Sequence, residues 1–368
     1  MLSHWEEVRT SIKSLISAND LPPLIIMAGG KSSRMGYPKG LLKHQDRPLI
    51  MLLLDVFRRA GGKKAVIVLG HHISSYFEEL SFLNGLTPPC DVKLGSLNLS
   101  IVVNNDYEQG PFSSVQAGIR FFKNDLEKGI LFHAVDRISC QISSWHTLCN
   151  AAYNSNHNAL FYEKNNTKIQ PVWLSQTTAL DVLKETPQTA RFDNIMDKIG
   201  FALPYSNDFG SFNLNTKDNW EEIKPLLPDV PPFTLEIKGE KRSGKTSFLK
   251  RVVSELSQQG FKVGGILQPS LNGDFDSSGY DVENVATGEH IPLARRRETP
   301  AKNGLWFDFY DDAWSYAKKT IIDARKNADI LVVDEIGKLE AQGLGHMIAL
   351  NESVPCETAL IRLLGVRI

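Results

Sequence analysis

The chain has 368 residues, 42% of them hydrophobic and 23% charged, which is typical of a globular protein with two domains of ordinary size. Its formal net charge is −1, so no global field favours nucleic acid or an anionic membrane, and any polyanion must bind locally. The four cysteines form no C-x-x-C pair and no His pair has zinc spacing, which indicates reduced thiols and a cytoplasmic location.

The first 22 residues are predicted to form an N-terminal helix. Leu2, Trp5, Val8 and Ile12 fall on one helical face, and a Pro-Pro pair ends the pattern. Charges occur throughout, so we expect a packing helix rather than a signal peptide or a membrane attachment. No apolar run is long enough to span a bilayer.

Apolar strand-like segments then alternate with helix-like segments. This alternation predicts an α/β fold with a mostly parallel, Rossmann-like sheet that is covered by helices on both faces. Ligands bind such sheets outside the carboxyl ends of the strands, where a Gly-rich turn and Asp136 both fall. The predicted strands are residues 23–30, 64–70, 99–105 and 129–136, and the predicted helices are 47–62 and 113–125.

The Gly-rich turn after the first strand carries three cations. Gly29 and Gly30 let backbone N–H groups approach a phosphate, and Lys31, Arg34 and Lys39 follow within ten residues. Arginine grips a phosphate with two hydrogen bonds, whereas lysine acts as a point charge. The turn therefore indicates a site for a compact polyanion such as a triphosphate.

A proline cluster divides the chain. Four prolines fall within "KPLLPDVPPF", and such a stretch is extended and stiff. We predict a first domain over residues 23–224, a linker over 225–232, and a second α/β domain over 233–368.

The first domain resembles the MobA-like nucleotidyltransferase superfamily, which includes molybdenum cofactor guanylyltransferases and cytidylyltransferases. The resemblance rests on five ordered motifs and covers about residues 24–220. The motifs are "AGGKSSRMGYPKGLL", "DYEQGPFSSVQAG", "FHAVDRI", "QPVWL" and "FGSFNLNTKDNW".

This resemblance implies a transferase of the GT-A-like type that moves a nucleoside monophosphate from a triphosphate to a phosphate acceptor. It implies that Arg34 and Lys39 bind the phosphates and that Asp136 holds Mg²⁺. GTP is favoured over CTP, and molybdopterin is the implied acceptor, with contacts to other molybdenum cofactor enzymes. The family usually has Pro two residues after the metal aspartate, and Ile138 stands there instead. The residues implied to bind the nucleotide are Met27, Ala28, Gly29, Gly30, Lys39 and Asp106.

The second domain opens with a P-loop. The motif G-x-x-x-x-G-K-[ST] runs from Gly239 to Thr246, after a predicted strand and before an amphipathic helix. We expect backbone groups from Gly239 to Ser247, Gly244 included, to cradle phosphates, with Lys245 reaching the β and γ oxygens and Thr246 binding Mg²⁺.

The strand "ADILVVDEIGKLE" supplies the expected Walker B partners. Asp334 is predicted to reach the metal, and Glu335 or Glu340 to orient the attacking water. The segments "GFKVGGILQP", "GYDVENVATGEHIPLAR" and "DEIGKLE" resemble the thermophilic P-loop nucleoside-triphosphatase family, and the P-loop also resembles MobB-type adaptors. This resemblance covers about residues 233–340 and fades afterwards, which predicts a shortened domain. We interpret the basic cluster at residues 295–297 as a solvated loop.

Two alternatives stay open at this point. The first is a nucleotidyltransferase that activates a sugar phosphate. The second is a nucleotide-dependent adaptor or NTPase in cofactor delivery, in which the first domain is degenerate. The sequence leaves open the base, the acceptor, the oligomeric state and whether the second domain hydrolyses its nucleotide.

Overall fold

The computed structural model describes residues 2–17, 19–137, 141–205, 213–240, 242–271, 278–300, 306–337, 339–355 and 357–367. The chain divides into two compact units. The first unit comprises Ile16–Lys93 and Leu97–Val230. The second unit comprises Met1–Leu15, Leu94–Ser96 and Pro231–Ile368.

The first unit is built on an eight-stranded mixed sheet, which confirms the predicted α/β class. The sheet has the order β10-β8-β9-β7-β1-β4-β6-β5, and β1 lies parallel to both β4 and β7. A separate two-stranded ladder joins β2 to β3. The strands are β1 (Leu24–Ala28), β2 (Lys43–His44), β3 (Arg47–Pro48), β4 (Lys64–Leu69), β5 (Cys90–Leu94), β6 (Leu97–Val103), β7 (Ile130–Ala134), β8 (Ala159–Lys164), β9 (Thr167–Leu174) and β10 (Gly200–Pro204).

Apolar helices cover this sheet, and the strands at its centre are almost wholly buried. β1 has the residues Leu-Ile-Ile-Met-Ala, and Ile25 packs in one core with Val66 and Phe132 from its neighbours. Such a continuous apolar run is expected of a parallel strand that is covered on both faces. The helices are α2 (Leu49–Arg59), α3 (Ile73–Glu79), α4 (Pro111–Phe121), α5 (Ile142–Tyr153), α6 (Gln176–Val182), α7 (Phe192–Ile199) and α8 (Lys217–Ile223).

The second unit has its own sheet with the order β11-β18-β17-β12-β14-β15-β16, and β13 pairs with β14. The first four strands in this order are parallel, and the remaining pairs are antiparallel. The strands are β11 (Phe233–Gly239), β12 (Val263–Leu267), β13 (Ser270–Leu271), β14 (Gly279–Asn284), β15 (His290–Arg296), β16 (Phe307–Phe309), β17 (Ile330–Ile336) and β18 (Ile361–Arg367). Its helices after the linker are α9 (Lys245–Gln258), α10 (Asp311–Asn327) and α11 (Met347–Asn351).

The predicted N-terminal helix is present as α1 (Leu2–Leu15), and it clusters with the second unit rather than with the domain that follows it in sequence. The Trp5 ring stacks on Phe248 of α9 with 4.5 Å between centroids, and Arg9 pairs with Glu255 at 2.7 Å. Val8 and Ile12 are buried. Apolar stacking on α9 therefore explains where this helix lies.

In the described parts of the chain, no helix combines the length and apolar character that crossing a bilayer requires.

Candidate nucleotide sites

The Gly-rich turn follows β1 and lies against two other backbone segments. A Cβ atom at Gly29 would stand 3.0 Å from Ser114 Oγ and 3.5 Å from the nitrogen of Gly70. The Gly29 carbonyl also accepts a hydrogen bond from the His71 N–H at 3.2 Å. A side chain at Gly29 would crowd Ser114, so glycine lets the turn that continues from Met27 and Ala28 present bare backbone at the carboxyl edge of the sheet.

A network of hydroxyl and amide groups lies next to Gly29. The Asn104 side-chain amide donates to Ser113 Oγ at 2.8 Å and to Ser114 Oγ at 3.1 Å, and its oxygen accepts from the Asp106 N–H at 3.0 Å. The Asp106 carboxylate accepts from Gln109 Nε2 at 3.0 Å. Asp106 therefore lies on the turn that leads into α4, and its carboxylate is hydrogen-bonded to Gln109.

The loop after Gly30 is anchored by an apolar residue. Met35 is only 1% exposed and packs in one cluster with Leu49, Leu214 and Trp220. This anchor leaves Arg34 exposed, and the described residues offer it no hydrogen bond or ion pair. Lys31 is also exposed and pairs with Glu108 at 3.0 Å. Of the three predicted cations, Arg34 is the one that is free to bind a ligand without first breaking a contact.

The third predicted cation, Lys39, meets the predicted metal ligand. Lys39 Nζ lies 2.9 Å from Asp136 Oδ2, and it donates to Asn215 Oδ1 at 3.3 Å. The side chains of Lys39 and Asp136 keep only 14% and 29% of their surface. Two residues that are 97 positions apart thus share one cleft, as the parallel sheet requires.

Asn215 is a residue of this site that the sequence analysis did not select. The Leu214 N–H donates to the Asp136 carbonyl at 2.9 Å, and Arg137 forms an isolated bridge with Asn213. These contacts hold the segment after residue 212 along the end of β7. The only sequence signal was the motif "FNLNTKDNW", whose asparagines could equally have formed a turn. Ile138, which replaces the family proline, lies outside the described residues.

Gly40, the residue after Lys39, lies against a buried tyrosine. A Cβ atom at Gly40 would stand 2.5 Å from Tyr76 Oη, and this tyrosine is 2% exposed. Burial raises the pKa of Tyr76, and a hydrogen bond with the Gly40 backbone acts against that rise. The turn that carries Lys39 is therefore pressed against a buried phenol that stays neutral.

The residues around Asp136 fit a magnesium ion that is shared with a nucleotide. Magnesium is usually bound by one or two carboxylates together with phosphate oxygens and water. Asp136 supplies one partly exposed carboxylate, and Asn215 supplies an amide oxygen next to it. The described residues contain no group of three His, Cys, Asp or Glu side chains with metal-site geometry.

In the second unit, the P-loop joins β11 to α9. Gly244 precedes the helix in the left-handed conformation, with a φ of 88°. The Lys245 ammonium donates to the carbonyl oxygens of Gly239 at 3.1 Å and Glu240 at 3.0 Å, and Lys245 is 3% exposed. Ser247 lies exposed on the first turn of α9, and Lys241 lies outside the described residues. The carbonyl groups of the P-loop therefore bind the ammonium of the loop's own lysine.

The two predicted metal ligands of the P-loop unit are in contact. Thr246 Oγ1 donates to Asp334 Oδ2 at 2.6 Å, and the Gln268 N–H donates to the same oxygen at 3.3 Å. Asp334 is fully buried, and this burial raises the pKa of its carboxyl group to about 6 despite the Thr246 hydrogen bond. A hydroxyl and a carboxylate at this distance fit a magnesium ion that a P-loop nucleotide carries.

The structure separates the two candidate glutamates. Glu335 has a φ of 60°, and its carboxylate is 3.9 Å from Lys245 Nζ. The Glu340 carboxylate instead accepts from the backbone N–H groups of Gly337 at 2.9 Å and His346 at 3.2 Å. Glu340 therefore holds the loop after β17, and Glu335 is the glutamate beside the P-loop lysine.

The comparisons with known proteins address both units. Residues 24–200 match the family described as MobA-like NTP transferase domain, and residues 234–364 match the NTPase family. Nucleoside-triphosphatase THEP1 of Pyrococcus abyssi is 30% identical over 125 residues, which are 34% of this chain and 70% of that protein. The chain belongs to the THEP1 nucleoside-triphosphatase family. It also carries a MobA-like NTP transferase domain, so both predicted resemblances are confirmed.

Two further proteins are each similar to a part of this chain. THEP1 of Methanopyrus kandleri is 26% identical over 130 residues, which are 35% of this chain and 72% of that protein. A molybdopterin-guanine dinucleotide biosynthesis protein A from Archaeoglobus fulgidus has a TM-score of 0.41 and 16% identity, over 55% of this chain and 97% of the solved one. The chain is an enzyme of the nucleotidyltransferase type with an attached THEP1 domain.

Two expectations for the THEP1 domain need correction. The family match does not fade after Glu340 but continues to residue 364, and β18 is inserted between β11 and β17. The basic cluster is not a solvated loop: Arg295 and Arg296 end β15. Arg295 Nη2 pairs with Asp281 at 2.8 Å, and Arg297 pairs with Asp308. These arginines join neighbouring strands.

Proposed function

We propose that the first unit is a magnesium-dependent nucleotidyltransferase that transfers GMP from GTP to the terminal phosphate of molybdopterin. The observation that carries this proposal is the Lys39–Asp136 pair at 2.9 Å beside the Gly29 turn. A cation for phosphates and a carboxylate for a metal ion lie together where a parallel sheet binds ligands. The molybdopterin acceptor and the preference for GTP are inferred from the motif resemblance alone.

The residues of the site suggest an order of events. Before a nucleotide binds, Lys39 neutralises Asp136, so neither charge is left uncompensated in a cleft that is largely shielded from water. When the triphosphate enters, Lys39 turns to the phosphates and Asp136 is released. Arg34, which is exposed on the loop that Met35 anchors, then closes on the same phosphates.

A bound Mg²⁺ would offset the negative charge that develops as pyrophosphate leaves. Asp136 and Asn215 would hold it from the protein side. The acceptor phosphate is already ionised at neutral pH, so the protein does not need a general base. The work of the site is to position two phosphates in line and to neutralise charge.

In the second unit, we propose slow hydrolysis of a nucleoside triphosphate. Lys245 would exchange the carbonyls of Gly239 and Glu240 for phosphate oxygens, and Thr246 and Asp334 would hold the metal ion. Glu335 would orient the attacking water. This assignment rests on the contact between Thr246 and Asp334 and on the position of Glu335.

The experiment supplies the full chain with Mg²⁺, molybdopterin and each of four labelled triphosphates, and measures pyrophosphate and dinucleotide product. We expect product with GTP, and loss of product in Asp136→Asn but not in Asp125→Asn, a surface carboxylate that pairs with Lys64. Release of pyrophosphate with a sugar phosphate but not with molybdopterin would show that the acceptor is wrong. If triphosphates bind but no acceptor yields pyrophosphate, the unit is an adaptor.

A further inference from the structure

An aromatic cavity lies in the second unit. Its volume is about 380 Å³, which is within the range of small-molecule sites. Its walls come from β16, α10, α11 and the loop after β17. Three of its apolar side chains are unusually exposed, namely Phe309 (49%), Leu339 (46%) and Ile348 (48%). Large apolar side chains that are exposed together in a cavity mark a binding site more often than a solvated surface.

Three aromatic rings lead inward from this cavity. The centroids of Phe309 and Trp314 are 6.4 Å apart, and those of Trp314 and His346 are 5.0 Å apart. His346 is 2% exposed, and its Nε2 lies 2.5 Å from the side-chain amide nitrogen of Gln268. The backbone N–H of Gln268 donates to Asp334, the carboxylate that also accepts from Thr246. The cavity wall is therefore connected to the proposed metal ligand through a short chain of contacts.

A second hollow of about 310 Å³ adjoins the aromatic cavity and shares Ser315 and Lys318 with it. Lys319 also lines this hollow, and among the described residues it has no ion-pair partner. Lys318 pairs with Glu352 at 2.8 Å, and Asp323 is the acidic residue of the lining. The hollow therefore offers the ammonium of Lys319 and a hydroxyl next to an aromatic surface, and a second ammonium, that of Lys318, which is held in its ion pair with Glu352.

We propose that these two hollows form one site for a planar aromatic ring that carries a phosphate, and that its occupancy changes the affinity of the P-loop for a magnesium nucleotide. The ring lies against Trp314 between Leu339 and Ile348, and the phosphate lies at Lys318 and Lys319. Lys319 and Ser315 supply donors to the phosphate, and Lys318 exchanges its ion pair with Glu352 for the phosphate. Movement of Trp314 reaches Asp334 through His346 and Gln268. This site goes beyond the proposed function and does not depend on the reaction of the first unit.

The probe is GMP, a planar ring with one phosphate, and guanosine and ribose 5-phosphate are its two halves. The full chain is labelled with 5-fluorotryptophan, and the Trp314 resonance among the six tryptophans is assigned with Trp314→Phe. Every titration uses a Lys39→Ala background, so that nucleotide binding in the first unit is weakened equally in all arms. Calorimetry then measures the dissociation constant of Mg·ADP with and without GMP.

We expect GMP to shift the Trp314 resonance saturably and each half-molecule to bind at least about tenfold more weakly. We expect GMP to change the Mg·ADP affinity about fivefold or more, and Mg·ADP to change the GMP affinity by the same factor. Ile348→Glu should abolish both effects, because it brings a like charge to the phosphate and removes an apolar wall. Leu344→Glu is the matched control, since Leu344 is 47% exposed but does not line the cavity.

Three results would overturn the proposal. The first is a Trp314 resonance that GMP does not move. The second is an effect that persists in Ile348→Glu, which would place GMP in the P-loop itself. The third is a saturable shift without any change in Mg·ADP affinity, because the proposed coupling would then be absent.

Discussion

The two candidate phosphate sites of this chain hold their charges in different ways. In the first unit, Lys39 donates to the side chains of Asp136 and Asn215, so three charged or polar groups from distant positions satisfy one another. In the second unit, Lys245 donates to two backbone carbonyls of its own loop. In the first unit the charges are compensated by side chains from distant positions, whereas the P-loop lysine is held mainly by carbonyls of its own loop, with the Glu335 carboxylate 3.9 Å away.

The carboxylates of the two sites, Asp136 and Asp334, also differ in their burial and in their partners. Asp136 keeps about a third of its side-chain surface and has a cation as its partner. Asp334 is fully buried and has a neutral hydroxyl as its partner, so burial raises the pKa of Asp334 to about 6. A carboxylate that lacks a nearby cation is more costly to ionise in a buried site. Acid should therefore weaken metal binding in the second unit through Asp334.

The largest expected effects come from removing each lysine. Lys39→Ala should lower pyrophosphate release about 10²- to 10³-fold, as the loss of one positioned donor to developing charge usually does, and leave triphosphate hydrolysis unchanged. Lys245→Ala should lower triphosphate hydrolysis and leave pyrophosphate release unchanged. Steady-state assays of both activities in both variants test this separation, and Lys64→Ala, which removes a surface lysine, is the control. Loss of both activities from one substitution would contradict the assignment of two sites.

The two glutamates of the second unit should differ nearly as much. Glu335→Gln should lower the rate of hydrolysis about 10²-fold or more, because the water loses its orienting base, while Mg·ADP still binds. Glu340→Gln should leave the rate close to normal and lower thermal stability, because Glu340 holds the amides of Gly337 and His346. Single-turnover kinetics and thermal melts distinguish the two roles. Equal rate losses would mean that Glu340 also acts in catalysis.

Acid should act on the second unit through Asp334. Because the folded pKa is raised to about 6, the stability that Asp334 contributes is complete below its unfolded pKa of about 3.9 and is lost as pH rises through 6. Metal binding needs the ionised form, so the affinity for Mg·ADP should fall up to about tenfold per pH unit between pH 6 and pH 5. Calorimetry at these pH values compares the native chain with Asp334→Asn, which should lose this part of the pH dependence, and with Asp312→Asn, which should retain it.

Most residues of both candidate sites were predicted from the sequence, for reasons that differ between the two sites. The P-loop is contiguous, so its local spacing alone locates Lys245 and Thr246. The pairing of Lys39 with Asp136 follows from the rule that parallel strands end at one edge, once β1 and β7 are recognised. Asn215 was missed because it reaches Lys39 from 176 residues away, along a segment whose course depends on tertiary contacts.

The antiparallel strand pairings in the two sheets were also not predicted from the sequence. β9 runs antiparallel to both β7 and β8, although its apolar run resembles that of a parallel strand. In the second unit, β18 was not predicted at all, because the segment after Glu340 lacks a motif that would identify it. Strand direction and insertion between distant neighbours are set by packing against the whole sheet, and short apolar runs do not encode them.

The smallest expected effect tests the turn that carries Lys39. Gly40→Ala would place a methyl group 2.5 Å from Tyr76 Oη, so we expect a loss of about 1–3 kcal/mol in the stability of the first unit, as overpacking usually costs. Gly30→Ala is the matched control, because nothing lies within 4 Å of a Cβ atom at Gly30. Adding Tyr76→Phe to Gly40→Ala should recover part of the loss, since the clashing atom is the hydroxyl oxygen. Denaturant unfolding followed by fluorescence measures all three. If Gly40→Ala is as stable as Gly30→Ala, the phenol does not press on this turn, and Lys39 owes its position to Asp136 and Asn215 alone.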